Sequence, residues 1–328
     1  MADPHKRALN RPAVPAAVPP AVPAAIPAAI PPAAFGLGPL PGTDLGAAAD
    51  VVLSESVVPH IPQLPARGVG SDLVGRTAAL LPLNLDIGPR SWRITRRPQL
   101  ATMRARDQFE RDMDTLEELW AGKLGTDAVI KVQLAGPWTL AAQLEMANGH
   151  RMITDRGAAR DVADALGEAV EGHRRDVEKR FGARTVLQLD EPFLPAVRKG
   201  TVKGATDYEE IPAVPDERVV EVLGQYGEHL LNSPEPFYGA DWFTVDPTRT
   251  ASKALDLDAF GGALDRGARI AVPVMEPRDV FDLFDKLQID TAATAVDVYA
   301  QPGPTLVATA GNYRAAAAMV DAIAPAGI

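Results

Sequence analysis

The sequence contains no cysteine among its 328 residues. Disulfide bonds, thiolate nucleophiles and sulfur-rich metal sites are therefore excluded. Phosphate-binding fingerprints are absent as well, because neither the GxGxxG spacing nor the Walker spacing occurs. The commonest sequence signals for nucleotide binding and for cysteine chemistry are thus missing.

Basic clusters and unbroken apolar runs are also lacking. The net charge of −10 argues against a nucleic-acid partner and fits a cytoplasmic protein. Residues 11–34 are apolar, but a proline at every third or fourth position prevents a helix, so they form neither a membrane span nor an export signal. We expect residues 1–34 to be a disordered Pro/Ala-rich tail and residues 35–328 to be one folded domain without a membrane partner.

Beyond the tail, helical and strand patterns alternate. Strands are predicted at residue 35, near Pro59 or Leu83, and at residues 128–134, 185–190, 228–232, 241–246, 269–275 and 305–308. Eight strands alternating with helices predict an α/β fold, a single (β/α)₈ TIM barrel. A doubly wound open sheet is the alternative, but it usually has a glycine-rich first turn.

The most informative stretch is residues 185–192, TVLQLDEP, where an apolar run ends in two carboxylates and a proline. Such a run is typical of a buried parallel strand, whose carboxyl end lies where α/β enzymes bind ligands. Asp190 and Glu191 would lie at that mouth, with side chains on opposite sides of the strand. The alternative is a strand-to-helix junction at which the acids only cap the next turn.

Four segments resemble the cobalamin-independent methionine synthase family and its relatives. Residues 36–44 (GLGPLPGTD) resemble the opening loop of the catalytic domain, and residues 60–68 (HIPQLPARG) a segment of the short, single-barrel members. Residues 136–140 (GPWTL) resemble a loop shared with uroporphyrinogen decarboxylases, and residues 188–192 (QLDEP) are the most specific match. The similarity extends from about residue 35 to the end of the sequence.

The resemblance implies a TIM barrel that transfers a methyl group from a reduced folate to the thiol of homocysteine. In the family a zinc ion lowers the pKa of that thiol, so the attacking species is a thiolate. By the resemblance, Asp190 binds the ammonium group of the amino acid and Glu191 is the second catalytic carboxylate. Gly38, Pro39 and Trp138 belong to the substrate pocket, with Pro39 replacing a serine of the family. The implied partner is a small molecule, an amino acid thiol or a folate.

The zinc ligands that the resemblance implies are degenerate in this sequence. His229 falls at the histidine position and Asp246 replaces the glutamate. Leu230, Leu231 and Leu306 occupy the cysteine positions. Because a stable zinc site needs three or four protein ligands, we expect weak zinc binding at His229 and Asp246 or none.

Three functions stay open on the sequence. The first is a divergent methionine synthase-like methyltransferase. The second is a catalytically silent barrel that binds an amino acid or a pterin. The third is a decarboxylase-like relative, which needs no metal but should have arginines in its pocket to bind substrate carboxylates.

Overall fold

The computed structural model describes residues 31–206, 208–248, 255–290 and 294–324. The strands in these residues are β1 (Ala34–Gly36), β2 (Leu85–Ile87), β3 (Trp92–Ile94), β4 (Val129–Ala135), β5 (Arg184–Asp190), β6 (Leu230–Asn232), β7 (Trp242–Thr244), β8 (Arg269–Pro273) and β9 (Val296–Ala300). The α-helices are α1 (Leu45–Glu55), α2 (Leu73–Leu80), α3 (Leu100–Trp120), α4 (Pro137–Gln143), α5 (Arg156–Phe181), α6 (Leu194–Lys199), α7 (Asp216–Leu223), α8 (Leu257–Asp265), α9 (Pro277–Leu287) and α10 (Leu306–Ile323). The predicted α/β class is confirmed.

Seven of these strands form one curled parallel sheet in the order β1-β9-β8-β7-β6-β5-β4. The order follows the sequence without the reversal that defines a doubly wound sheet, so the fold is TIM-barrel-like. Residues 58–63 hydrogen-bond to both edges of the sheet. The Gln63 N–H donates to the Gly38 carbonyl at 3.0 Å, and the Ile61 N–H donates to the Lys131 carbonyl at 3.2 Å.

The two alternatives for the second strand have different outcomes. The segment that begins near Pro59 is the one that reaches both edges of the sheet. The segment near Leu83 leads into β2, which pairs antiparallel with β3 in a separate two-stranded sheet. The position near Leu83 is therefore wrong for a strand of the main sheet.

The last strand also differs from its prediction. The sequence pattern predicts it at residues 305–308, whereas the structure has it at β9, and Thr305 instead caps α10 through its side-chain oxygen. The buried Asp297 interrupts the apolar pattern of β9, and it is accommodated by an ion pair with Arg269 at 2.6 Å. Arg269 lies on β8, so the partner that stabilises the buried charge of Asp297 comes from a different strand. The sequence of β9 alone therefore does not have the apolar pattern of a buried strand.

The boundary of the predicted N-terminal tail needs correction. Residues 1–30 of that tail lie outside the described residues, but Ala33 and Ala34 are buried and Ala34 begins β1. The Ala33 N–H donates to Asp297 Oδ1 at 2.9 Å. A residue with a buried, paired backbone belongs to the fold, so the boundary at residue 34 is too late.

Alternate residues of the strands pack into two separate apolar clusters. Leu230 and Trp242 join Phe35 in a small inner cluster, whereas their neighbours Leu231 and Phe243 join the large cluster between the sheet and the helices. This alternation follows from the two-residue period of a strand. It places every second residue of the sheet on the concave inner face.

The longest described helix, α5, shows how the outer layer is bounded. Asp155 caps its start by accepting a hydrogen bond from the Ala158 N–H at 2.8 Å, and Gly182 ends it with a left-handed φ of 61°. Its buried stripe faces the sheet, and charged residues cover the other faces. None of the helices in the described ranges combines the length and the apolarity needed to cross a bilayer.

Candidate functional site

Polar side chains occupy the inner face of two neighbouring strands, β4 and β5. Lys131 and Gln133 lie on β4, and Gln188 and Asp190 lie on β5, with Gln133 beside Gln188 in the register. All four are buried, and the strand residues between them pack in the large cluster between the sheet and the helices. Because side chains alternate between the two faces, these four share the inside of the curled sheet.

A cavity of about 870 Å³ opens at this end of the sheet. Its described lining comes mainly from the carboxyl ends of β5, β6, β7 and β9 and from the loops that follow them. Leu37 and Pro39 after β1, together with Gln63 and Leu73, complete the lining. The polar lining includes Asp190, Asn232, Thr244, Tyr299 and Gln301. This volume suits a small organic molecule, and the position is the one at which TIM-barrel enzymes bind their ligands.

Asp190 lies in the wall of this cavity, and one of its two carboxylate oxygens is held by hydrogen bonds. Its Oδ1 accepts hydrogen bonds from Gln188 Nε2 at 2.7 Å and from Asn232 Nδ2 at 2.6 Å. No described residue donates to Oδ2, which leaves this oxygen for a ligand. Burial raises the pKa of Asp190, while the Asn232 hydrogen bond, the charge of Lys131 and the Gln188 hydrogen bond oppose that rise.

Glu191 points to the other side of β5 and lies outside the described lining of the cavity. Its carboxylate accepts hydrogen bonds from the Trp138 N–H at 2.8 Å, the Thr139 N–H at 2.7 Å and the Thr139 hydroxyl at 2.6 Å. Burial raises the pKa of Glu191 to about 7 against these three bonds. Glu191 thus binds the first turn of α4, an arrangement close to the capping alternative, and its catalytic role stays a prediction.

The three other predicted pocket residues have different positions. Pro39 lines the cavity, and Gly38, the residue before it, is buried. Gly38 has a φ of +120°, and a Cβ there would lie 2.6 Å from Gln133 Nε2, so only glycine fits. Trp138 is buried in α4 with its backbone bonded to Glu191, and it is not part of the described lining.

The structure does not bring the predicted metal ligands His229 and Asp246 together. His229 directly precedes β6, so it lies at the amino end of the sheet, where its Nδ1 is 2.8 Å from the Gly227 carbonyl. Asp246 follows β7 at the carboxyl end, lines the cavity and accepts hydrogen bonds from Thr248. In a parallel sheet these positions are separated by the length of a strand.

The residues at the implied cysteine positions are also unsuited to a metal. Leu230 and Leu231 are fully buried in the two apolar clusters, and Leu306 is the first residue of α10. Within the described ranges, no group of three or more His, Cys, Asp or Glu side chains could bind a metal ion. The donor set therefore does not fit the zinc ion that the resemblance implies.

Sequence reasoning assigned no role to Lys131, Gln188 or Asn232, which the structure places around Asp190. The sequence does contain a signal for Lys131. In residues 129–135 (VIKVQLA), polar residues stand at alternate positions of an otherwise apolar strand. That period of two predicts a shared polar inner face on β4.

Comparisons with known proteins identify the fold but not a family. Neither a family model nor a curated protein matches the sequence. A B12-independent methionine synthase from Shewanella sp. W3-18-1, in complex with selenomethionine, is similar in structure. The TM-score is 0.55 and the sequence identity is 12%, and the match covers 90% of this chain and 98% of the methionine synthase chain. A methyltransferase from Methanosarcina mazei gives a TM-score of 0.47 at 12% identity, covering 84% and 83%. At this identity, the first likeness shows the fold alone.

Proposed function

We propose that the chain is a methionine synthase-like (β/α)₈ barrel whose cavity binds a small amine-bearing molecule, such as an amino acid, through Asp190. In this barrel residues 58–63 take the place of the second strand, because they hydrogen-bond to both edges of the curled sheet. The fold shared with the methionine synthase structure supports the assignment.

The geometry of Asp190 carries the proposal. Two amide groups anchor Oδ1, at 2.7 Å and 2.6 Å, and Oδ2 accepts no hydrogen bond from a described residue. A carboxylate fixed in this way is an acceptor for an ammonium group, and charge-assisted hydrogen bonds are stronger than neutral ones. The surrounding cavity is large enough for an amino acid with an extended side chain.

The described lining also favours an amine over a polyanionic ligand. Its only cationic side chain is Lys199, whose Nζ lies 2.5 Å from Glu235 Oε1. A decarboxylase-like function would call for arginines that bind substrate carboxylates, and the described lining contains none. The third function therefore has less support than the binding of an amine.

Methyl transfer from a methylated folate to a thiol is the second candidate, favoured by the shared fold. The residues do not fit the zinc ion that activates the thiol in the family, and a free thiol is mostly protonated at neutral pH. We expect protein dialysed after purification to contain no stoichiometric zinc and to lack robust methyl transfer to homocysteine when zinc is added. Elemental analysis and a methyl-transfer assay test this, and one zinc per chain would contradict it.

Calorimetric titration tests the binding site. Homocysteine, methionine and a simple primary amine would be titrated into the wild-type protein and into Asp190→Asn. The variant should weaken binding by about 1.5–3 kcal/mol, roughly tenfold to 150-fold, the scale of a charge-assisted hydrogen bond. Asp241→Asn is the matched control, because Asp241 is exposed just before β7 at the opposite end of the sheet. Equal affinity of Asp190→Asn and the wild type would refute the site.

A further inference from the structure

Lys131 is a fully buried lysine beneath the cavity wall. Its side chain is 1% exposed, and its ammonium group lies over the ring of Phe35 at 5.6 Å from the centroid. The Nζ donates one hydrogen bond, to Gln188 Oε1 at 2.6 Å. Because an unpaired buried charge is costly, a lysine in this position needs a compensating carboxylate.

Gln188 connects Lys131 to Asp190. An ammonium group can only donate hydrogen bonds, so the atom of Gln188 that faces Lys131 must be the oxygen. The amide nitrogen then points the other way, and its two hydrogens go to Asp190 Oδ1 and to the Leu37 carbonyl, both at 2.7 Å. A donor aimed at Asp190 favours the ionised form of that carboxyl group.

We propose that Lys131 is a positioning residue of the cavity, which orients Gln188 and supplies the countercharge that keeps Asp190 ionised for a cationic ligand. The inference rests on the proposed binding of an amine at Asp190 and adds the reason why a cation is preferred. Lys131 is not part of the described lining, so it acts through Gln188 and through its charge.

The other titratable groups near this pair do not replace Lys131. The charged and titratable side chains near Lys131 and Asp190, or in the described lining of the cavity, are Glu191, His60, Asp246, Lys199, Glu235, Asp256, Tyr238 and Tyr299. Burial and the charge of Lys131 lower the pKa of His60 to about 3, so this imidazole is neutral near neutral pH. Lys199 is paired with Glu235, and none of the remaining groups is a cation. Lys131 is the cation whose charge reaches Asp190. Burial lowers the pKa of Lys131 to about 7 against the charge of Asp190, so Lys131 is charged in the acidic range in which Asp190 titrates.

The experiment follows the carboxyl carbon of Asp190 by NMR as a function of pH, in ligand-free protein labelled at aspartate. Asp190→Asn identifies the resonance. Lys131→Met should raise the midpoint of the Asp190 titration by about one pH unit or more, the effect of losing a nearby opposite charge. Lys123→Met, which removes an exposed lysine just after α3, should leave the midpoint unchanged. An unchanged midpoint in folded Lys131→Met would mean that Lys131 has only a structural role.

A second variant tests the connection through Gln188. Gln188→Glu has the same shape and can pair with Lys131, but it removes the donor to Asp190 and adds a negative charge. It should also raise the Asp190 midpoint, and it serves as the test if Lys131→Met does not fold. In the wild type, the side-chain amide protons of Gln188 should shift as Asp190 titrates, and their failure to do so would overturn the proposal. These readouts need no ligand, so a failure of amine binding would remain distinguishable from a failure of this inference.

Discussion

Glu191 connects β5 to the first turn of α4, and removal of its carboxylate should destabilise the fold. The Trp138 N–H donates to Oε1, and the Thr139 N–H and hydroxyl donate to Oε2, all at 2.6–2.8 Å. Glu191→Met keeps an unbranched side chain of similar size but removes both acceptors. The Thr139 hydroxyl can rotate to another partner, whereas the two backbone N–H groups stay where they are.

The magnitude follows from those two N–H groups. A buried donor without a partner costs about 1–3 kcal/mol, so the pair costs about 2–6 kcal/mol. Part of this cost is offset, because the variant no longer buries a charge, and that burial raises the pKa of Glu191 to about 7 in the wild type. We expect Glu191→Met to lower the free energy of unfolding by about 1–4 kcal/mol.

Urea unfolding at pH 8, above the raised pKa, measures this difference from the shift in midpoint at constant slope. Glu276→Met is the matched control, because Glu276 is an exposed glutamate at the start of α9 whose side chain makes no capping hydrogen bond. The control should change the free energy of unfolding by less than about 0.5 kcal/mol. If Glu191→Met is as stable as the control, the structural role is refuted and the predicted catalytic role of Glu191 gains support.

Three further predictions concern stability. Burial lowers the pKa of His173 to about 3, so below pH 6.5 the unfolded chain binds a proton that the folded chain does not. Between pH 6.5 and 3, the free energy of unfolding of the wild type should therefore fall by about 1.4 kcal/mol per pH unit more than that of His173→Leu. Urea unfolding at pH 7 and at pH 5.5 measures the two decreases, and equal decreases in both proteins would contradict this. A chain truncated to begin at residue 34 should be about 1–3 kcal/mol less stable than one beginning at residue 31, because it loses the hydrogen bond from the Ala33 N–H to Asp297. Thermal melts compare the two chains, and equal melting temperatures would argue against this prediction. Gly136→Ala should lower the free energy of unfolding by about 2 kcal/mol or more, because the added Cβ would overlap the Glu191 carboxylate. An unchanged urea midpoint would show that α4 can shift to make room for the methyl group.

The sequence pattern was sufficient for the elements whose contacts are local or whose residues are mostly apolar. The strands at residues 128–134 and 185–190 were predicted close to their observed bounds, because a short, mostly apolar run bounded by turn signals is typical of a buried parallel strand. The cap of α1 is a local contact of this kind, because the Asp44 side chain accepts a hydrogen bond from the Ala47 N–H at 3.1 Å. Capping involves residues three apart in sequence, so it is visible without the fold.

Prediction failed where a distant partner decides what a residue can do. The strand at β9 was missed because Asp297 is tolerated only by its pairing with Arg269 on β8. The resemblance implied a degenerate metal site at His229 and Asp246, but strand direction places the two at opposite ends of the sheet. Neither relation can be read from spacing along the chain, because each depends on which strands become neighbours.

Asp190 shows the same division within the candidate site. The apolar run before it, with the two-residue period of a strand, was enough to place its carboxylate at the carboxyl end of the sheet and to separate it from Glu191. Only the tertiary structure brought Gln188 and Asn232 to its Oδ1 and put Lys131 behind them. Local sequence determines which face a side chain occupies, whereas its partners, and hence its charge, are set by contacts between strands that are far apart in the chain.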